Sequence, residues 1–368
     1  QKDRDVIQER APHVDVVFGT HNVGRATDLL DQARVSGPVT EIIEESASFP
    51  SALPVKRDAN HAAWVTIQIG CDNSCAFCIV PSVRGKEISR PYSELVSEVE
   101  QLALTGVTEI TLLGQNVNSY GRDLTLKLRG TELTAEASQL VGENWVRGPH
   151  TARPLFSDLL CSVAAVSGIR RVRYTSPHPK DFRPETIAAM ARVPEVCEHL
   201  HLPLQSGSDK ILSAMHRGYT ADRYIQKVVA ARDEIPDLAL STDIIVGFPG
   251  ETDLDFERTL EVAAEVRFDN AYTFVYSPRP GTEAAESLEQ AVPAKTSADR
   301  MERLRKVIER TSLKGNESRV GQEEEVIVEG HSKRDNGMLS GRTRHNRLVH
   351  IPADRVIRPG SYAQVRVT

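Results

Sequence analysis

From Trp64 onward the chain repeats one pattern: a short apolar, β-branched run, a turn, then a longer amphipathic stretch. Val65–Ile69 reads as a strand that Gly70 breaks into a loop. The stretch Glu94–Leu104 carries Leu95, Val99 and Leu102 on one stripe and stops at Gly106, so it predicts a helix. Strands are then expected at Val107–Leu113, Val172–Thr175, His199–Leu204, Ala239–Val246 and Ala271–Tyr276. Helices are expected between them at Leu155–Val166, around Pro184–Ala191, and at Asp209–Met215, Asp222–Glu234 and Leu254–Val266, the last capped by Thr252. Alternating strands and helices predict an α/β fold on a parallel sheet, with its chemistry at the carboxyl ends of the strands.

Two flanks break the pattern. Residues 1–50 hold one strand (Val14–Phe18), a turn that contains His21, and a helix over Ala26–Ala33, which reads as the tail of an α/β domain. Residues 51–60 read as a linker, and the core as 61–295. Within the core, 123–153 is polar with weak periodicity and is expected to be a surface-loop insertion. A charged helix is expected over 296–315, with Leu304, Ile308 and Thr311 on one side. From 316 to 368 short strands separated by Gly, Asn and Pro predict a small antiparallel β-barrel of the OB type.

Charge sharpens this division. The 368 residues carry a net charge of −6, which argues against a basic coat over the whole molecule. Between Gly330 and Thr368, however, eight basic residues face two acidic ones, a local balance of +6. Arg342, Arg344 and Arg347 lie in this segment and are candidate RNA contacts, because a basic β-barrel is a usual nucleic-acid platform; a merely solvated barrel is the alternative. No apolar run approaches the roughly 20 residues of a membrane span, so no membrane partner is expected. The chain opens on Gln1 rather than Met and reads as a fragment.

The candidate chemistry sits in the loop after the first core strand. Cys71, Cys75 and Cys78 are spaced C-x3-C-x2-C, with no fourth cysteine nearby. Three thiolates can hold three corners of an iron–sulfur cubane and leave one iron open to a substrate. Zinc is the alternative, although a structural zinc takes four ligands; a disulfide would leave one thiol over. Five cysteines, three of them clustered, suit a reducing and therefore cytoplasmic setting. Cys161 on an apolar helix and Cys197 beside a strand are expected to be core thiols. Basic Arg84, Lys86 and Arg90 follow the loop and are candidate phosphate contacts, with Glu87 among them. His178 and His201 at strand ends are candidates for proton transfer or for structural roles.

The motif with Phe77 just before its last cysteine resembles the radical S-adenosylmethionine superfamily. The continuation FCIVPSVRGKEISRP is similar to its methylthiotransferase branch, in particular the enzymes that methylthiolate N6-dimethylallyladenosine in tRNA. The resemblance implies a partial (β/α)6 barrel, an N-terminal domain remnant and a C-terminal TRAM domain. It implies that Cys71, Cys75 and Cys78 hold a [4Fe–4S] cluster, that S-adenosylmethionine chelates the open iron, and that one electron splits it to methionine and a 5′-deoxyadenosyl radical. Cofactor contacts are then expected from Phe77, from Gly114, Gln115 and Asn116, from Gln205 and Ser206 on ribose, from Val246 on adenine, and from Arg217 on the carboxylate, with an exposed helix-end arginine as the alternative for Arg217. No catalytic side chain is expected beyond the cluster and cofactor. A second [4Fe–4S] cluster is implied for the full-length protein, with ligands absent here, which makes this chain alone incomplete for sulfur insertion. Implied partners are the tRNA anticodon stem-loop, an electron donor such as flavodoxin or ferredoxin, and a sulfur donor; the protein is expected to be a monomer. Sister activities on threonylcarbamoyladenosine or a ribosomal-protein aspartate are alternatives, as is a non-catalytic RNA-binding module with a structural metal.

Overall fold

The computed structural model describes residues 4–43, 59–130, 136–353 and 357–368. Most of the expected linker, 51–58, lies outside these residues. The N-terminal piece pairs β1 (Val16–Phe18) in parallel with β2 (Val39–Glu41), with a helix at Ala26–Ser36 between them.

The core is a run of six parallel strands. The first half orders β3 (Ala62–Thr66), β6 (Glu109–Leu113) and β7 (Arg171–Tyr174). The second orders β8 (His199–His201), β9 (Ala239–Val246) and β10 (Asn270–Val275). A parallel bridge from Val172 to Val196 joins the halves. The expected single strand over Val65–Ile69 is two elements. After β3 the chain kinks into β4 (Gln68–Ile69), which pairs antiparallel with β5 (Ile88–Ser89). Gly70 ends β4 and lets the chain turn into the loop beside Lys86: its φ is +76°, and a Cβ there would lie 2.0 Å from the Lys86 carbonyl oxygen.

Helices pack on one face of this sheet because their apolar stripes match its alternation. Leu95, Val99, Leu159, Leu160 and Val163 are fully buried together with Val65, Ile110, Leu112 and Val172 of the strands. The helix at Asp253–Val266 begins with a capping box between Thr252 and Asp255.

The segment read as a surface-loop insertion is different. It forms helices at Arg122–Leu128, Ala137–Val141 and Glu143–Val146. Trp145 is only 1% exposed and Leu124 and Val141 join the main core. Single large side chains anchor these short helices, so no period announces them. Cys161, expected in the core, is exposed, whereas Cys197 is buried.

The long helix Ala294–Glu317 leads to four antiparallel strands, β11 (Glu323–His331), β12 (Met338–Thr343), β13 (Leu348–Pro352) and β14 (Tyr362–Arg366). Their order is β13-β12-β11-β14, a curled sheet in which β13 and β14 form the edges. This sheet covers the amino-terminal ends of the core strands. Arg171, 0% exposed, donates to the carbonyls of Arg342 and Glu325, and Arg173 to those of Thr343 and Arg344. The Tyr362 ring lies 3.6 Å from the Arg170 guanidinium, and its hydroxyl donates to Thr108.

Candidate active site at the carboxyl ends of the strands

The three-cysteine loop lies beyond β4 at the carboxyl-terminal end of the sheet. It is stapled from three sides. The Cys71 amide donates to the Gly85 carbonyl, the Ala76 amide to Met215, and the Ala284 amide to Ala76. Lys180 adds a side-chain bond to Asn73 at 2.7 Å. All three thiols are half-buried. Among the described residues no three His, Cys, Asp or Glu side chains converge as a single-ion site does, so the thiols stand apart on their loop. Burial pushes the Cys71 thiol up to about 11 and raises Cys78 as well.

Beneath the loop is a small apolar cluster. The Phe77 ring meets Phe248 edge-on at 6.4 Å, and Phe248 meets Tyr276 at 5.2 Å. Ile245 packs there too. Val246, expected against an adenine, faces the opposite way into the main core and is fully buried. Side chains alternate along a strand, so the neighbour one step earlier takes the outward place.

Other expected contacts divide into open and occupied groups. At the end of β6, Gln115 presents a buried Oε1 with no hydrogen-bond partner, beside Gly114. Asn116 is already used: its Nδ2 donates to Asp181 at 2.7 Å and its Oδ1 accepts from the His178 amide. Ser206 is also turned inward, near the Thr259 hydroxyl and accepting from the Ser208 amide. Gln205 sits at φ +68° and is clamped to β9 by its amide to Asp243 and its carbonyl from Ile245. These bonds use only its backbone.

Arg217 is 5% exposed, not a free helix-end arginine. Its Nε donates to the Tyr219 hydroxyl, which is anchored on the carbonyls of Pro203 and Leu204. Its Nη1 reaches the Cys75 sulfur at 3.3 Å. His178 is buried beside it, with Nε2 4.0 Å from the same sulfur. Burial, with Arg217 next, drives His178 down to about 2, so it stays neutral. His201 lies lower, hydrogen-bonded to Ser241 and 3.5 Å from Asp243.

Of the expected phosphate contacts, Lys86 is exposed and Arg84 half-exposed. Arg90 is not available: it is buried, bonded to the Thr66 carbonyl and paired with Glu98 at 2.6 Å. Glu87, the acid among these bases, is not a surface charge. It is 8% exposed, accepts from Ser119 at 2.5 Å, and burial raises its carboxyl to about 7. No signal for this stands in the sequence: alternation beside the apolar Ile88 would send Glu87 outward, and its burial is set by the distant Ser119.

The basic residues of the C-terminal sheet are also partly committed. Arg344 is bound to Glu198 and the Pro194 and Val196 carbonyls, and Arg347 to Asp269 and Asn316. Arg342 pairs with Glu329. Lys333, Arg334 and Arg358 are exposed.

Residues 65–263 match the Radical SAM superfamily and residues 317–368 the TRAM domain. A Mycobacterium marinum tRNA-2-methylthio-N(6)-dimethylallyladenosine synthase is 48% identical over 375 residues, which cover 100% of this chain and 68% of that protein. The chain belongs to this family of radical S-adenosylmethionine methylthiotransferases. Synthases of the same name from Streptomyces viridosporus and Thermobifida fusca are 48% and 47% identical, with the chain covering 68% and 70% of each. Among solved structures, the radical S-adenosylmethionine enzyme coproporphyrinogen III oxidase from Escherichia coli aligns with 12% identity and a TM-score of 0.45, over 78% of this chain and 67% of that one. Superfamily membership implies an iron–sulfur cluster and S-adenosylmethionine. The residues present fit both: three thiols on one loop without a fourth, and an unpartnered buried acceptor on Gln115 facing the role of an ammonium partner. No helix among the described residues is long and apolar enough to cross a membrane.

Proposed function

We propose that this chain is the radical and RNA-binding part of an enzyme that methylthiolates carbon 2 of N6-dimethylallyladenosine beside the tRNA anticodon. The observation that carries the reading is the three-cysteine loop held at the open carboxyl end of the sheet, in a chain 48% identical along its whole length to synthases of that name. Cys71, Cys75 and Cys78 would hold a [4Fe–4S] cluster, and with S-adenosylmethionine it supplies one-electron chemistry able to attack a C–H that no side-chain base deprotonates near neutral pH.

The chain's own groups support binding and orientation. Gly114 lets the Gln68 side chain pack closely against the end of β6, and the Gln115 Oε1 is free to accept from the cofactor's ammonium. Phe77, Ile245 and Phe248 offer an apolar bed for its adenine, with Gln205 nearby for the ribose. Arg217 suits the carboxylate through whichever N–H the sulfur leaves free. Arg84 and Lys86 are placed for phosphates near the loop. On the C-terminal sheet, Lys333, Arg334 and Arg358 take over the RNA role expected of Arg344 and Arg347, whose guanidinium groups are matched by carboxylates of the core. A ferredoxin or flavodoxin as reductant, a separate sulfur donor, a second cluster in the longer protein, a monomeric state and a cytoplasmic setting complete the proposal.

The test is nucleoside mass spectrometry of tRNA from cells that lack their own synthase and express the gene containing this chain. The 2-methylthio derivative of the prenylated adenosine is expected. Unmodified prenyl-adenosine, with the protein present and loaded with iron, would reject the reading. A methylthio group on threonylcarbamoyladenosine instead would favour the sister activity.

A further inference from the structure

One of the three loop cysteines is treated differently from the others. Two buried nitrogen groups converge on the Cys75 sulfur, Arg217 Nη1 at 3.3 Å and His178 Nε2 at 4.0 Å. Among the described residues no side-chain donor reaches Cys71 or Cys78 in this way; their bonds are with backbone of their own loop.

Both donors are fixed in place. The His178 Nδ1 accepts from the Lys180 amide at 3.2 Å, so its single ring proton resides on Nε2 and points to the sulfur. The His178 backbone is in turn bonded to Asn116, which is braced by Asp181. The Tyr219 ring stands edge-on to His178 at 5.9 Å, and its hydroxyl holds the Arg217 Nε. Positions 116 and 178 follow β6 and β7, whereas 217 and 219 follow the helix Asp209–Ala214, so the arrangement is tertiary and not a by-product of one turn.

We propose that His178 and Arg217 are positioning residues that donate hydrogen bonds to the Cys75 thiolate and raise the reduction potential of the cluster it holds. This rests on the function proposed above. Reduction adds one electron, and so one negative charge, to a cluster carried by three thiolates. The electron comes from an external one-electron donor, and no bond is made or broken in the step. N–H groups and a fixed cation at a ligating sulfur favour the more negative state, most strongly in a site shielded from water.

The experiment is potentiometric titration of the reconstituted chain, followed by electron paramagnetic resonance of the reduced cluster, with His178→Phe, Arg217→Lys and Arg217→Met. At a fixed potential His178→Phe and Arg217→Met are each expected to lower the ratio of reduced to oxidised cluster about tenfold, a shift of about 59 mV for a one-electron couple. Arg217→Lys keeps the charge and should fall between Arg217→Met and the parent. Iron content distinguishes the two levels of the argument. A parent chain without iron rejects the function; variants with full iron and the parent potential overturn only this proposal. If a variant loses its cluster, the parent with ¹⁵N-labelled histidine decides: a weak nitrogen coupling to the reduced cluster is expected, and its absence overturns the His178 contact.

Discussion

The two ends of the parallel sheet use buried cations in opposite ways. At the amino-terminal end, the terminal nitrogens of Arg171 and Arg173 donate to four carbonyls of the TRAM domain, and the two guanidinium groups pair with Glu325 and Glu109, although each Nε makes no hydrogen bond. At the carboxyl-terminal end, Arg217 is also buried but one of its N–H groups goes to a thiol, and Gln115 after β6 keeps an acceptor unpartnered. The first arrangement is closed and holds two domains together. The second leaves polar groups aimed at something the protein does not itself contain. A buried cation matched by carbonyls and carboxylates of another domain marks structure, and one whose N–H goes to a free thiol marks a site.

The largest effect should come from the site. Replacing Cys71 by Ser is expected to reduce bound iron from about four per chain to near zero, since three thiolates are the whole donor set of the loop. Iron and sulfide counting after anaerobic reconstitution checks it. At the other end, Arg171→Met should destabilise the protein by about 3 kcal/mol, because it strands two buried carbonyls and a carboxylate. Urea unfolding should then show the TRAM sheet separating from the core, while the iron content of the chain is preserved.

Glu87 gives a pH-dependent contrast near the loop. Burial raises it from 4.5 to about 7, so between those values the folded protein keeps a proton that the unfolded chain has lost. Stability from this group is therefore full below pH 4.5 and declines as pH rises to 7, by about 3 kcal/mol in all. Glu87→Gln should remove that slope from unfolding free energies measured at pH 5 and 7.5. The smallest effect is local: Thr252→Ala breaks the capping box and should cost about 1 kcal/mol with no change in iron binding.

Much of the frame was legible because period and composition act locally. The helix Tyr92–Leu104 and strand β9 follow from apolar spacing alone, and the cysteine loop from its spacing after a strand. What was not legible depends on partners far away in the chain. Arg344 is matched by Glu198 at a separation of 146 residues and Arg347 by Asp269 at 78, so counting charges in the segment overstated its free basic surface. The alternating arginines of RVRY in β7 were the missed clue, since charges at one face of a buried strand require a partner domain. Position at strand ends points Asn116 and Ser206 to the cofactor, yet loop geometry turns both into internal braces.

The most direct test of the account is dithionite-driven turnover of the anaerobically reconstituted chain with S-adenosylmethionine. About four irons and four sulfides per chain, with release of 5′-deoxyadenosine, are predicted. Bound zinc without sulfide, and no cofactor cleavage, would contradict it and leave an RNA-binding module with a structural metal.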